Sequence, residues 1–322
     1  MPSHLAKHLQ KGNPYMAISP SKPVQAKKPV SSTGVTGNAV KQAVKPPLFR
    51  IETVQRRERF LKALIYGNYG VGKTTLAASA NKVPAMRNVI MINAESGDLS
   101  VEDHTDLDAI TVTDFRRLGQ INEFLKQHCR ARDAGDTERL IAMEANLRGV
   151  EPEEITEPRL YRTVILDSLS ELEAYCFNQL LGVTDSTRLD EETQSAEFKE
   201  YKQNHTMMLR VVRAFRDLPM NVICTSGEAY NQDETKKFKY TPDLTGKLAK
   251  KIQGFFDMVG YYVQGKSGDK DERRLYVSPS PTGRYDAKHR YQSFKGDHFV
   301  NPTMATIVKE AGLDNLSGTA LK

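Results

Sequence analysis

The run Gly67, Asn68, Tyr69, Gly70, Val71, Gly72, Lys73, Thr74, Thr75 contains the spacing G-x-x-x-x-G-K-[ST]. Each part has a chemical task. The glycines let backbone N–H groups turn inward around phosphate oxygens. Lys73 carries a cation to the β- and γ-phosphates, and the Thr74 hydroxyl is a ligand for Mg²⁺. A helix starting behind the loop offers its positive end to the anion. A second feature lies downstream, where the apolar run Thr163–Val164–Ile165–Leu166 ends on Asp167. This is the form of a Walker B strand, whose carboxylate holds Mg²⁺ through water. The chemistry indicated is binding of a nucleoside triphosphate with Mg²⁺ and hydrolysis of its terminal phosphate. No N-K-x-D base-reading run accompanies it, so ATP and GTP both remain open.

Ser168, not a glutamate, follows Asp167, so a base that activates water must come from elsewhere. Glu95 stands at the end of the apolar run 88–95. The C-terminal ends of strands in an open parallel sheet face the ligand crevice, which lets Glu95 reach a water in line with the γ-phosphate. The competing reading is a solvated loop carboxylate.

These groups need a scaffold that brings distant strand ends together. Short apolar runs at 62–67, 88–95, 109–113, 161–167 and 221–226 read as buried strands. Amphipathic stretches separate them: a helix from Thr74, one over 115–130 capped by Thr113 or Asp114, one after Asp167, and one over 195–217. Strands apolar throughout, alternating with helices, predict a mostly parallel sheet covered on both faces. Runs at 257–264, 273–279 and 283–294 predict antiparallel strands added at the sheet edge, and 302–311 predicts a last short helix. Residues 131–160, charged, irregular and partly helical, read as an insertion.

The net charge of +6 is unevenly placed. Residues 1–50 hold eight Lys and Arg and no acid, leaving 38 basic against 40 acidic residues in the remainder. The segment 1–48 is rich in Lys, Pro, Ser and Gly and is expected to be a disordered basic tail suited to an anionic partner or simply solvated. The ATPase core is expected over 49–300 and a C-terminal extension over 301–322. Cys129, Cys176 and Cys224 sit among apolar residues without metal spacing, as buried thiols of a reducing compartment would. No apolar run approaches the ~20 residues of a membrane span, and no apolar leader opens the chain. A cytoplasmic protein is expected, in the host cytoplasm if phage-encoded.

The segments GNYGVGKTT, INAESGDLS and VILDSLSEL, in that order, resemble the RecA-type P-loop ATPase core. More narrowly, they resemble short phage-type ATPases of DNA recombination and single-strand annealing. The resemblance spans about residues 60–292. It implies a RecA-like fold, a ring or filament of identical subunits, and Glu95 as catalytic base. It also implies that Lys288 and Arg290, in the run AKHR, are fingers reaching the γ-phosphate of a neighbouring subunit. The bland reading of that pair is two cations on a solvated edge strand. Family members usually carry Gln or His after the strand 221–226 as a γ-phosphate sensor; this chain has Gly227 and Glu228 beyond Thr225 and Ser226.

The segment that follows interleaves Tyr230, Phe238 and Tyr240 with Lys236, Lys237 and Lys239. Aromatic faces for bases beside cations for phosphates suit single-stranded DNA, and the corresponding loop of RecA-like proteins contacts DNA. The same residues would also suit a β-hairpin with cross-strand aromatics. The leading expectation is a DNA-stimulated ATPase acting in recombination, annealing or replication. The alternative is a nucleotide-dependent assembly module with little turnover. A small-molecule kinase ranks third, because Arg132, Arg139, Arg148 and Arg159 are scattered among acids rather than gathered in a lid.

Overall fold

The computed structural model describes residues 59–314 except 96–105, 185, 189, 191, 193, 233–235 and 269. All of these belong to the second of two units, Met1–Glu52 and Thr53–Lys322. The basic segment 1–48 and residues 315–322 lie outside the described residues.

Four strands are buried along their whole length: β1 (Lys62–Tyr66), β2 (Val89–Asn93), β4 (Thr163–Asp167) and β5 (Asn221–Ser226). Burial on both faces explains their unbroken apolar character. β3 (Asp108–Thr111) alternates between half-buried and exposed, as an edge strand does. With β8 (Met258–Ser267) these strands pair in parallel in the order β3, β2, β4, β5, β1, β8. The sheet continues antiparallel through β9 (Lys270–Tyr276) and β11 (His298–Val300), with β10 (Lys288–His289) also on β8. The expected α/β fold, mostly parallel with antiparallel edge strands, is the fold observed. Two expectations change. The run 257–264, expected as an antiparallel addition, pairs in parallel with β1 as β8 and is antiparallel only toward β9 and β10. Within 283–294 only Lys288 and His289 form a strand. Tyr285, in the loop before them, lies 5.3 Å from Tyr261 and 5.0 Å from Tyr276, ring centre to ring centre.

Side chains alternate between two apolar layers. Leu64, Tyr66, Ile90, Ile92, Val164, Leu166, Val222 and Cys224 face one way. That side is covered by α2 (Arg117–Ala134), α4 (Leu169–Leu180), α5 (Phe198–Arg216) and α6 (Lys247–Gln253). Ala63, Ile65, Met91, Ile165 and Ile223 face the other way, against α1 (Lys73–Ala78) and α7 (Met304–Glu310), which buries Met304, Ile307 and Val308. Ser168 caps α4, its hydroxyl accepting from Glu171 N. The three cysteines are buried free thiols, and burial pushes the Cys176 thiol up to about 12.

Residues 131–160 are more ordered than their charge suggested. α2 runs to Ala134, and α3 (Thr137–Arg148) follows, capped by Asp136 through Arg139 N. Their charges converge. Arg148 pairs with Glu144 at 2.7 Å and Asp108 at 3.0 Å, and Arg159 lies 3.3 Å from Asp108. The Tyr161 hydroxyl donates to Asp108 at 2.7 Å. This network ties the α2–α3 pair to the edge strand β3.

At the N-terminal end of β1, Lys62 is a buried cation. Its ammonium donates to the carbonyls of Leu218 at 2.8 Å and Met220 at 2.6 Å. Burial outweighs Asp257 and Asp217 and lowers its pKa from 10.5 to about 8. Between those values the unfolded chain binds the proton more tightly. Stability should therefore rise with pH across that window, by about 3 kcal/mol from this group. Lys62→Met should remove that rise. Urea unfolding of both proteins at about pH 7 and about pH 10 checks it; equal pH slopes would show that Lys62 does not lose its proton in the fold.

Candidate nucleotide site

The phosphate loop leaves β1 at Tyr66 and enters α1 at Lys73. Two of its glycines are demanded by geometry. A Cβ on Gly67 would lie 2.1 Å from the carbonyl oxygen of Tyr262 on β8. Gly72, the residue before α1, has φ +95°, where a side chain is strained. Val71 is buried and anchors the loop, whereas Tyr69 is 76% exposed and Thr75 is exposed. The Lys73 ammonium donates to the carbonyls of Gly67 and Asn68, each at 3.0 Å, and lies 5.7 Å from the centre of the Tyr69 ring. Lys73 thus closes its own loop into a ring.

Asp167 is buried at the end of β4 and is held on both oxygens. Thr74 donates to Oδ2 at 2.8 Å, and Thr225 at the end of β5 donates to Oδ1. The next residue, Ser168, donates its hydroxyl to Glu95 Oε1 at the end of β2. Lys73, Thr74, Glu95 and Asp167 therefore meet at the C-terminal edge of the parallel strands. Burial pulls the Lys73 pKa down, while Glu95, Asp167 and Glu228 push it up. Glu228 reaches this site from the start of β6 (Glu228–Gln232). In the sequence it marks a departure from the usual sensor residue, and nothing there places its charge beside Lys73.

The segment after β5 is a hairpin of β6 and β7 (Phe238–Pro242). Tyr230 stacks on Phe238, ring centres 5.0 Å apart, and the two are 58% and 53% exposed. Tyr240 turns inward instead. It lies 4.7 Å from Tyr230 and 5.4 Å from Tyr261, which stacks at 5.1 Å on Tyr66 at the root of the phosphate loop. The Tyr66 hydroxyl donates to the Asp286 carbonyl at 2.6 Å and accepts from Asp286 N at 2.9 Å. Lys239 is ion-paired with Asp286. Lys236 sits in the left-handed region at φ 61°, and Lys237 stands between it and Phe238. Within the six-residue set expected to meet DNA, Lys239 and Tyr240 are engaged within the fold.

Lys288 and Arg290 are not near their own phosphate loop. Lys288 pairs in register with Val259, at the level of Leu64, and Arg290 N bonds the carbonyl of Asp257 beyond it. Both lie toward the N-terminal ends of the parallel strands, opposite the loop. The Arg290 guanidinium binds Asp257 at 3.0 Å and the Gly254 carbonyl at 3.2 Å. Lys288 is half-buried, and burial lowers its pKa.

Among solved structures, the chain is similar to flagellar accessory protein FlaH from Methanocaldococcus jannaschii. The identity is 12%, the coverage 76% of this chain and 92% of that one, and the TM-score 0.34. A KaiC-like protein from Pyrococcus horikoshii matches at 12% identity over 76% of this chain and 91% of that chain, TM-score 0.36. The RadB recombinase matches at 15% identity over 75% and 86%, TM-score 0.37. No curated protein sequence matches significantly. The family model described as "AAA domain" matches residues 59–291, from just before β1 to just after β10. That span takes in the phosphate loop, the Walker B strand and Glu95, and the chain belongs to this AAA domain family.

Proposed function

We propose that the protein binds ATP with Mg²⁺, hydrolyses it, and acts as a homo-oligomer on single-stranded DNA in recombination, annealing or replication. The observation that carries the reading is the closed set Lys73, Thr74, Asp167, Ser168 and Glu95 at one edge of the sheet. Thr74 and Asp167 offer the hard oxygen donors that Mg²⁺ prefers, already 2.8 Å from each other. They would hold the ion, which neutralises phosphate charge when bound. Lys73 exchanges its two loop carbonyls for phosphate oxygens. Glu95, oriented by the Ser168 hydroxyl, accepts a proton from water as the water oxygen bonds to the γ-phosphorus. The bond from that phosphorus to the β-phosphate oxygen breaks, leaving ADP and phosphate. Thr225 fixes the second oxygen of Asp167, so that carboxylate is positioned before any ligand arrives.

Tyr230 and Phe238 present the aromatic faces for bases, with Lys236 and Lys237 beside them for phosphates. The basic segment 1–48 adds a salt-sensitive anchor for the same strand. Lys288 and Arg290 are fingers for the next subunit's γ-phosphate, and in that role Arg290 must leave Asp257. ATP turnover is expected to rise with added single-stranded DNA, measured as phosphate release with sizing under the same conditions. Turnover that stays flat across DNA concentrations would favour the second reading, a nucleotide-dependent assembly module. The pairing of Lys239 with Asp286 and of Arg290 with Asp257 is the observation on that side.

A further inference from the structure

We infer that Arg273 is a nucleotide-binding residue supplied by the same chain, gripping the α- and β-phosphates. The inference rests on the nucleotide reading above and extends it to a residue outside every motif.

The hairpin of β8 and β9 folds against the phosphate loop at two points. The Tyr262 carbonyl fills the space a side chain on Gly67 would need, and the Arg273 guanidinium lies over Gly72. Its Cζ and Nη1 are 3.5 Å, and its Nε 3.8 Å, from the position a Cβ on Gly72 would take. The backbone of Arg273 is fixed from both sides. Its N–H donates to Asn301 Oδ1 at 2.9 Å, and its carbonyl accepts from Asn301 N at 2.7 Å. Its strand neighbour Arg274 is ion-paired with Glu272. Among the described residues, the Arg273 guanidinium itself has no hydrogen bond or ion pair. A planar fork of donors, unpaired among the described residues, is thus held beside an anion cradle.

Charge gives that fork a purpose. In the cradle Lys73 faces three carboxylates, Glu95, Asp167 and Glu228. A polyphosphate entering there needs a second cation, and a guanidinium pairs with phosphate in a two-pronged geometry that an ammonium cannot offer. Position selects the phosphates. The backbone N–H groups of a P-loop cradle the α- and β-phosphates, and Arg273 lies over the last glycine before Lys73. It should therefore grip ADP as well as ATP, and do so within one subunit. A finger supplied by a neighbour and aimed at the γ-phosphate would do neither.

The test is calorimetric binding of Mg·ATP and Mg·ADP to the full chain, its Arg273→Ala and Arg273→Lys variants, and Lys73→Ala. Arg273→Ala should weaken both nucleotides about tenfold or more, as loss of a charge-assisted bond does. Arg273→Lys should fall between. Melting without nucleotide should not change, because the side chain is exposed. If the parent chain binds nucleotide and Arg273→Ala binds both equally well, the role of Arg273 is refuted while the site stands. Weakening of ATP alone would overturn the assignment to the α- and β-phosphates. A parent chain that binds neither nucleotide would remove the nucleotide reading itself, and this inference with it.

Discussion

Lys73→Ala should reduce ATP turnover to background and weaken nucleotide binding about a hundredfold. Among the described residues, its ammonium is the buried cation of the loop, held at 3.0 Å by the carbonyls of Gly67 and Asn68. Without that cation, Glu95, Asp167 and Glu228 repel an incoming polyphosphate. The fold should survive, since β1 and α1 are packed through Leu64, Ile65, Leu76 and Ala77, side chains of the apolar layers rather than of the cradle. Phosphate release and calorimetric binding, beside a melting curve without nucleotide, decide the matter. Turnover preserved in a folded variant would place the catalytic site elsewhere.

Glu95→Gln should leave ATP binding intact and slow hydrolysis by about 10²- to 10⁴-fold, the usual contribution of a general base. The exchange keeps size and shape, and an amide oxygen can still accept from Ser168. It removes one of three carboxylates facing Lys73, so Mg·ATP affinity should hold or improve. Single-turnover phosphate release separates the chemical step from binding and product loss. Full activity in this variant would move the base, and Glu228 is the cradle carboxylate then left besides Asp167, which is bonded to Thr74 and Thr225. Reduced affinity with an unchanged chemical step would make Glu95 a binding group.

What could be read from the chain in advance follows from how local each signal is. The phosphate loop is contiguous, so its identity required only residues 67–75. β1, β2, β4 and β5 were legible because burial on both faces leaves unbroken apolar runs. Glu95 could be placed because strand ends in a parallel sheet share one edge. Arg273 and Glu228 could not, because antiparallel pairing and a hairpin root bring them to the loop from far along the chain. The inward turn of Tyr240 and the pairing of Lys239 with Asp286 are likewise tertiary: neighbouring residues of one type pattern divide between solvent and core. In 131–160 the helical period of α3 was masked by charges that the fold uses in the Asp108 network.

The place of β1 in the sheet has a consequence for how the protein is made. β1 lies between β5 and β8, so its partners begin at Asn221 and Met258. Neither exists when the phosphate loop leaves the ribosome. At about 5–20 residues per second, roughly 10–40 s pass before Tyr262 is added behind Gly67. Through that interval β1 is an apolar strand with both edges open, the kind of segment that invites wrong pairing. Parallel, long-range closure is also slow to form. The loop is therefore synthesised well before the strands that hold it, and it can be assembled in full only once β8 is present.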